Sequence, residues 1–259
     1  MPSHYAHYRF GRDCLPLLPS RQQRIVKQFR RIFDVGLQGP DIFFYRNIFL
    51  RDSAAAMANH THQESGADFF TRCCDTVRRE PGEAAQAYLL GLLCHFTLDK
   101  TLHPLVLAHT ADGSIGHAEM ETEFDRFLLQ LDGRRQPNTC DLSPHVKLTP
   151  GECDTVSRFY PGFGTLSVWF SVKGMSGSMK ILALPNGPFR RFIEKGAGKR
   201  LRQHFMHRLP NRRCAHLNDG LLEAYRQALA DFPALAAQLQ DHLDRGAPLG
   251  EAFAPDFQG

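Results

Sequence analysis

Apolar residues recur every three to four positions over most of this chain, which is the spacing of helices that pack one face against a core. The first clear stripe follows Ser20, which is placed to cap a helix, and Gly36 is placed to end that helix. Pro40 suits the first position of the next helix, with Asp41 in its first turn. The residues of the first stripe are Ile25, Val26, Phe29, Ile32 and Phe33.

Four later segments also have helical patterns. One of them is apolar nearly all round, so we predict that it is a buried central helix, which Pro104 should close. Asp132 and Gly133 should end the helix that follows it. The four predicted helices cover residues 67–79, 84–102, 117–131 and 219–243.

Two segments interrupt this pattern. Residues 134–150 are polar and contain proline, which predicts a surface loop. Residues 156–184 fit a strand or a helix, and Gly174 and Gly177 weaken both assignments. Strand signals are sparse elsewhere. We therefore predict an all-α fold, a multi-helix bundle with a buried central helix, formed as a single domain by residues 1–259.

The composition suits a globular protein that buries a substantial core, with 42% hydrophobic and 22% charged residues among 259. No apolar run is long enough to span a bilayer, and Met1-Pro2-Ser3 does not begin a secretory signal. The seven cysteines include the neighbours Cys73 and Cys74 but no Cys-x-x-Cys pair. This usage favours reduced thiols, and we expect a cytoplasmic protein.

The net charge of +4 is mild, but basic residues concentrate in the segment 190–213, where Glu194 is the one acid. Such a segment can make peripheral contact with phosphates or an anionic surface, although a solvated helix and loop is the commoner explanation. Its basic residues are Arg190, Arg191, Lys195, Lys199, Arg200, Arg202, Arg208, Arg212 and Arg213.

Histidines paired with carboxylates are the feature that indicates chemistry. His95 and Asp99 are four residues apart on the predicted central helix, and His103 follows four residues later, at or just past its expected end. His117 and Glu121 repeat the spacing on the next helix. Residues at i and i+4 share a helix face, so each pair can converge on one ion, and zinc favours this mixture of imidazole and carboxylate.

A hydrogen bond between the two side chains would explain a single buried His–Asp pair. Two pairs together with His103 make a metal site the better explanation, because a carboxylate on an all-apolar helix is costly unless it is paired or bound to a cation.

The sequence around these pairs carries longer motifs: AYLLGLLCHFTLD at 87–99 with His103-Pro104, GHAEME at 116–121, EFDRF at 123–127, HYRFG at 7–11 and GPDIFFY at 39–45. These motifs resemble the zinc-dependent phospholipase C family. The family is related in fold to single-strand-specific fungal nucleases and to the catalytic domain of GPI-specific phospholipase D. The resemblance covers about the first half of the chain, residues 1–135, and the second half shows no diagnostic motif.

The resemblance implies two or three zinc ions. The ligands it implies are Asp41, His62, His95 and Asp99 for one ion, His103, His117 and Glu121 for a second, and Asp99 with His7 for a third. His60 remains an alternative to His62, and Asp41 also fits a first-turn charge that favours the helix dipole.

Two features depart from the family pattern. Secreted members begin at a processed tryptophan whose amine completes the third site, whereas this chain begins with Met1-Pro2-Ser3. The spacing from Asp99 to His103 is also shorter than in the secreted phospholipases and is similar to that of the phospholipase D branch.

The resemblance implies hydrolysis of a phospholipid or other phosphodiester by a metal-activated water, which Asp41 or Asp99 would orient or deprotonate. Two alternatives stay open: a nuclease or nucleotidase of the same fold, and a non-catalytic metal-stabilised module that binds an anionic partner through 190–213. Arg126 is a candidate for phosphate contact, although pairing with a neighbouring carboxylate is the commoner role. The aromatic segment 43–49 would line a substrate pocket or pack in the core. The sequence leaves the oligomeric state open.

Overall fold

The helical patterns of the sequence become twelve α-helices in the computed structural model, which describes residues 4–47, 52–80 and 82–259. No β-strand occurs in those ranges, so the predicted all-α class is confirmed. The helices are α1 (His4–Cys14), α2 (Ser20–Gln28), α3 (Arg30–Gly36), α4 (Ser53–His62), α5 (Gly66–Arg79), α6 (Glu83–Thr110), α7 (His117–Leu131), α8 (Pro150–Ser157), α9 (Thr165–Leu182), α10 (Pro188–Gly196), α11 (Lys199–Arg202) and α12 (Asn218–Arg245).

Helix α6 is the centre of the structure, as its all-apolar sequence predicts. It packs against α3 and α12 most extensively and also contacts α1, α2, α5, α7 and α8. Tyr88, Leu92, Leu93 and Phe96 are fully buried on different sides of it. Because α12 comes from the second half of the chain, the core around α6 is built from both halves.

Helix α3 crosses α6 at a contact between two glycines. A methyl group added to Gly91 would lie 2.5 Å from the carbonyl oxygen of Phe33 and 2.8 Å from the Cα of Gly36. Neither neighbour is a flexible side chain, so the two backbones approach this closely only without side chains at both positions. The contact fixes the place at which the chain leaves α3 towards the residues that follow it.

Three predictions about individual helices were wrong: two concern where a helix ends, and one concerns the type of helix. The helix predicted to run from Ser20 to Gly36 breaks at Phe29, whose backbone leaves the helical region at φ −111° and ψ 41°. The segment that begins near Pro40 forms a 3₁₀ helix, Gly39–Tyr45, rather than an α-helix. Pro104 lies inside α6, which continues to Thr110 because tertiary packing, including the burial of Val106, outweighs the loss of one backbone hydrogen bond.

The other predictions agree with the structure within a few residues. Helices α5, α7 and α12 match 67–79, 117–131 and 219–243, and α7 ends before Gly133, which has a φ of +81°. The loop 134–150 contains two short 3₁₀ turns. The ambiguous stretch 156–184 is mainly helical, since it holds the end of α8 and all of α9, which are separated by a turn at 158–164.

Two sequence expectations concern the whole chain. All seven cysteines lie in the described ranges, and none forms a disulfide. None of the described helices combines the length and the apolar character that crossing a bilayer requires.

The glycine contact gives a direct test of the helix packing. We expect Gly91→Ala to lower the free energy of unfolding by about 1–3 kcal/mol, because the added methyl group forces α3 away from α6. The matched control is Gly220→Ala, a helical position with open space around it, where alanine should stabilise by up to about 1 kcal/mol. Urea unfolding of the two variants compares them; equal stability would contradict the account.

Candidate metal centre

Five separate elements bring the eight predicted ligands together beside α6. Seven of the eight side chains are buried, and His117 is half-buried. Helix α1 contributes His7, the 3₁₀ helix contributes Asp41, α4 contributes His62, α6 contributes His95, Asp99 and His103, and α7 contributes His117 and Glu121.

Asp99 lies at the middle of this group. Its Oδ1 is 3.1 Å from His7 Nε2, and its Oδ2 is 3.2 Å from His95 Nε2. The same Oδ2 is 3.9 Å from His62 Nε2 and 3.9 Å from His103 Nδ1. One buried carboxylate is therefore surrounded by histidines from three helices.

Asp41 is a second buried carboxylate close to two of these histidines. Its Oδ1 is 3.1 Å from His62 Nε2, and its Oδ2 is 3.9 Å from His95 Nε2. A second group lies further along α6, where Glu121 Oε1 is 3.0 Å from His117 Nε2 and 3.5 Å from His103 Nε2.

Three histidines donate their other ring nitrogen to backbone carbonyls. His62 Nδ1 donates to Ala58 O at 2.7 Å, His95 Nδ1 to Leu37 O at 3.1 Å and His103 Nδ1 to Phe257 O at 2.7 Å. A carbonyl oxygen only accepts hydrogen bonds, so each Nδ1 carries a proton. In the neutral ring, Nε2 then carries a lone pair that can bind a metal. This is the arrangement in which a histidine binds a metal through Nε2 while an outer partner fixes its orientation.

The donor set fits a metal ion. His95 Nε2 and Glu121 Oε2 are buried and make no hydrogen bond, although carboxylate oxygens or histidine nitrogens lie close by. Lone pairs of neutral imidazole and carboxylate repel one another unless a cation lies between them. Within each of three groups the ligand atoms lie within 4.8 Å of one another: His7, His95 and Asp99; Asp41, His62 and His95; His103, His117 and Glu121.

The pKa shifts of Asp99 and His103 show that the buried carboxylates are stabilised by positive charge. Burial alone would raise the pKa of Asp99, but His103, His95 and His7 outweigh burial and hold that pKa well below its usual range. Burial alone would lower the pKa of His103, but Asp99 and Glu121 raise it to about 10. Protons or a metal ion satisfy this charge, so the two compete for the site.

Two residues outside the ligand set position ligand-bearing elements. Gly39 has a φ of +53°, and a methyl group there would lie 2.5 Å from the ring of His95, so only glycine lets the turn before Asp41 pass this close. Both carboxylate oxygens of Asp125 accept from the first turn of α1, at 2.9 Å from Tyr5 N and 2.8 Å from Ala6 N. These bonds cap the helix that carries His7.

Several other candidates lie away from the group. His60 is exposed, whereas His62 on the same helix faces Asp41. Arg126 is buried and donates to Glu123, so its role is the pairing expected of it. Phe43 and Tyr45 are core residues, as packing predicts, while Ile48 and Phe49 lie outside the described ranges, as do Met1-Pro2-Ser3.

The sequence motifs and this geometry agree with a comparison against known families. A family model described as zinc dependent phospholipase C matches residues 6–156. The chain belongs to this family. The match includes all eight ligand candidates and ends within α8. Comparisons with curated proteins and with solved structures find no match. Membership of the zinc-dependent phospholipase C family implies a zinc-dependent hydrolase and a phospholipid substrate.

Asp99 should matter most among the ligand candidates. We expect Asp99→Asn to lower zinc affinity by more than the roughly 10- to 100-fold that loss of an outer partner costs, because Asp99 is the proposed carboxylate ligand of two ions, with one oxygen beside His7 and the other beside His95. His7→Ala should cost less, since His7 is a proposed ligand of the third ion only and contacts a single oxygen of Asp99.

The measurement is competition with a zinc chelator on protein that circular dichroism shows to be folded. Asp75→Asn, at an exposed carboxylate on α5, is the control and should bind zinc as the parent does. Full zinc content and full activity in Asp99→Asn would make Asp99 a buried carboxylate satisfied by hydrogen bonds alone.

Proposed function

We propose that this protein is a zinc-dependent phospholipase C that hydrolyses the phosphodiester of a phospholipid and releases diacylglycerol. The observation that carries the proposal is the ring of histidines around Asp99, in which ring nitrogens face buried carboxylates at 3.1–3.2 Å. Family membership supplies the reaction class.

The proposed ligands are assigned to ions as the family resemblance implies. Asp41, His62, His95 and Asp99 would hold one zinc ion, and His7 and Asp99 a third ion; the structure places Asp99 within 3.9 Å of both His62 and His95 and 3.1 Å from His7. His103, His117 and Glu121 would hold the second ion and form a group of their own. Zinc supplies charge stabilisation of the phosphate oxygens and lowers the pKa of water when it is bound.

The chain's own part in the reaction is to place carboxylates where a proton must go. The oxygen of water bonds to phosphorus while the bond from phosphorus to the glycerol oxygen breaks, and the glycerol oxygen takes up a proton. Asp41 is our candidate to accept the proton from the attacking water, and Asp99 to orient that water. Both carboxylates are buried against histidines that hold them in place.

The exposed side chains of helix α10 favour a substrate that is presented in a lipid bilayer. Its inner side is anchored by the buried Arg190, which donates to Leu184 O, Asn138 O and Met206 O. Its outer side exposes Phe189 and Phe192, at 65% and 76% of their full accessibility.

Arg191 and Lys195 lie beside these rings, so α10 presents apolar and basic groups together; we call Phe189, Arg191, Phe192 and Lys195 the α10 face. Such a face complements an anionic bilayer. Arg190 belongs to the basic segment 190–213 that the sequence indicates, but its side chain is buried and cannot contact an anionic surface. The other described basic side chains of this segment are largely exposed.

The C-terminal end of α10 is connected through two residues to the start of α7, which carries His117. Arg202, the last residue of α11, donates to the carbonyls of Glu194 and Ala197 at the end of α10. The next residue, Gln203, lies against Gly116, where an added methyl group would be 2.3 Å from its Nε2. Gly116 caps α7 directly before His117.

Nucleic acid is the second candidate substrate, because exposed aromatic rings also stack on bases. The exposed apolar groups that flank α10 in the sequence are not only aromatic, however, since Ile181, Leu201 and Leu209 are exposed as well. Aliphatic side chains offer no stacking surface for a base but enter a lipid interface readily. This mixture favours lipid.

The first test of the function is a substrate panel. We expect the zinc-loaded protein to release diacylglycerol and phosphorylated head group from phospholipid vesicles, and chelation to abolish this activity until zinc is restored. Cleavage of single-stranded DNA or RNA instead would favour the nuclease alternative. Zinc-loaded protein that hydrolyses neither class would favour the non-catalytic module.

The second test concerns the α10 face. We expect the double variant Phe189→Ser, Phe192→Ser to bind vesicles of phosphatidic acid and cholesterol at least about tenfold more weakly, because two apolar rings no longer enter the bilayer. These vesicles contain no phosphodiester, so binding is measured by sedimentation without turnover.

Hydrolysis of a soluble short-chain phospholipid should be unchanged in this variant. The matched control is Leu131→Ser, which replaces an exposed apolar residue at the end of α7 and should leave vesicle binding intact. Equal binding by parent and double variant would remove the α10 face from the account.

A further inference from the structure

Residues 250–259, which we call the C-terminal strap, lie outside the family match and carry no sequence motif. In the structure this segment lies against the metal centre rather than away from it. We infer that the strap completes the metal centre and that Phe257 is its positioning residue. The inference deepens the proposed function, since it rests on the proposed zinc ligands.

The first observation is the hydrogen bond from His103 to the strap. His103 Nδ1 donates to the backbone carbonyl of Phe257 at 2.7 Å. The bond keeps the proton on Nδ1 and directs Nε2 towards Glu121 Oε1, which is 3.5 Å away. His62 and His95 receive the same support from Ala58 and Leu37, but His103 receives it from a residue 154 positions later in the chain.

The second observation is the position of the Phe257 ring. The ring is fully buried, and its centroid lies 5.4 Å from that of His62 and 5.8 Å from that of His95. Phe257 therefore contacts ligand candidates of all three groups, His62 and His95 through its ring and His103 through its carbonyl. A ring that closes one side of a metal site limits the orientations open to the histidines it touches and keeps water from that side.

The third observation is that the strap is attached at several points. Lys100 Nζ donates to Ala252 O at 2.8 Å, and Gly66 N donates to Pro255 O at 2.8 Å. The ring of Phe253 stacks on that of Phe96, with centroids 5.8 Å apart and planes 5° apart. These contacts hold the strap against α5 and α6, so the carbonyl of Phe257 has a fixed position from which to orient His103.

A strap that only stabilises the fold can be distinguished from one that also positions the metal ligands, because its two buried phenylalanines have different neighbours. Phe253 and Phe257 are both fully buried rings of the same segment, and each packs on Phe96. Phe253 also contacts Phe70, whereas Phe257 contacts histidines. Loss of either ring removes core packing, but only loss of Phe257 should disturb the ligands.

The test compares Phe257→Ala with Phe253→Ala. We expect Phe257→Ala to lower zinc affinity about 10- to 100-fold, as measured by competition with a chelator, and Phe253→Ala to change it less than about threefold. Histidine NMR of the zinc-loaded protein gives a second readout: the ring signals of His62 and His95 should shift in Phe257→Ala, which loses the ring that contacts them, and should stay in place in Phe253→Ala.

Equal loss of zinc affinity in both variants, or no loss in either, would overturn the inference. If Phe257→Ala does not fold, Phe257→Leu takes its place, because leucine keeps most of the buried apolar volume but not the planar ring against His62 and His95. A parent protein that binds no zinc would instead refute the proposed function, so the two failures are distinguishable.

Discussion

A buried negative charge organises this protein. Asp99 lies on the most buried helix, and in an apolar interior a carboxylate is stable only when positive charge or hydrogen-bond donors surround it. His7, His62, His95 and His103 surround it, and three of them are directed by backbone carbonyls so that a lone pair faces inwards. Protons or a metal ion can neutralise the buried carboxylates, and zinc is the metal ion that suits this mixture of imidazole and carboxylate.

The packing of the helices serves that centre. The glycine contact between α3 and α6 fixes the point at which the chain turns, so that the carbonyl of Leu37 reaches His95 and the carboxylate of Asp41 reaches His62. Glu121 arrives on α7, whose later residue Asp125 caps α1. The acidic motif of α7 therefore has two functions: one carboxylate faces the metal centre, and another anchors the helix that carries His7.

Much of this was predictable from the sequence. Helical spacing identifies the helices, and the i, i+4 pairs on α6 and α7 identify residues that the structure brings together. Local signals failed where tertiary contacts decide: Pro104 did not end α6, and Phe29 broke a continuous apolar stripe. Outer partners such as the carbonyl of Phe257 could not be predicted, because any residue can supply a backbone carbonyl and no sequence pattern marks a contact over 154 positions. Cytoplasmic location and the single domain remain predictions.

The central claim is that the histidines and carboxylates around Asp99 hold zinc, and metal analysis of the unmodified protein tests it most directly. Protein purified without chelators should contain at least two zinc ions per chain by elemental analysis, because the ligand atoms form separate groups along α6. Protein with no stoichiometric transition metal, before and after incubation with zinc, would contradict the account.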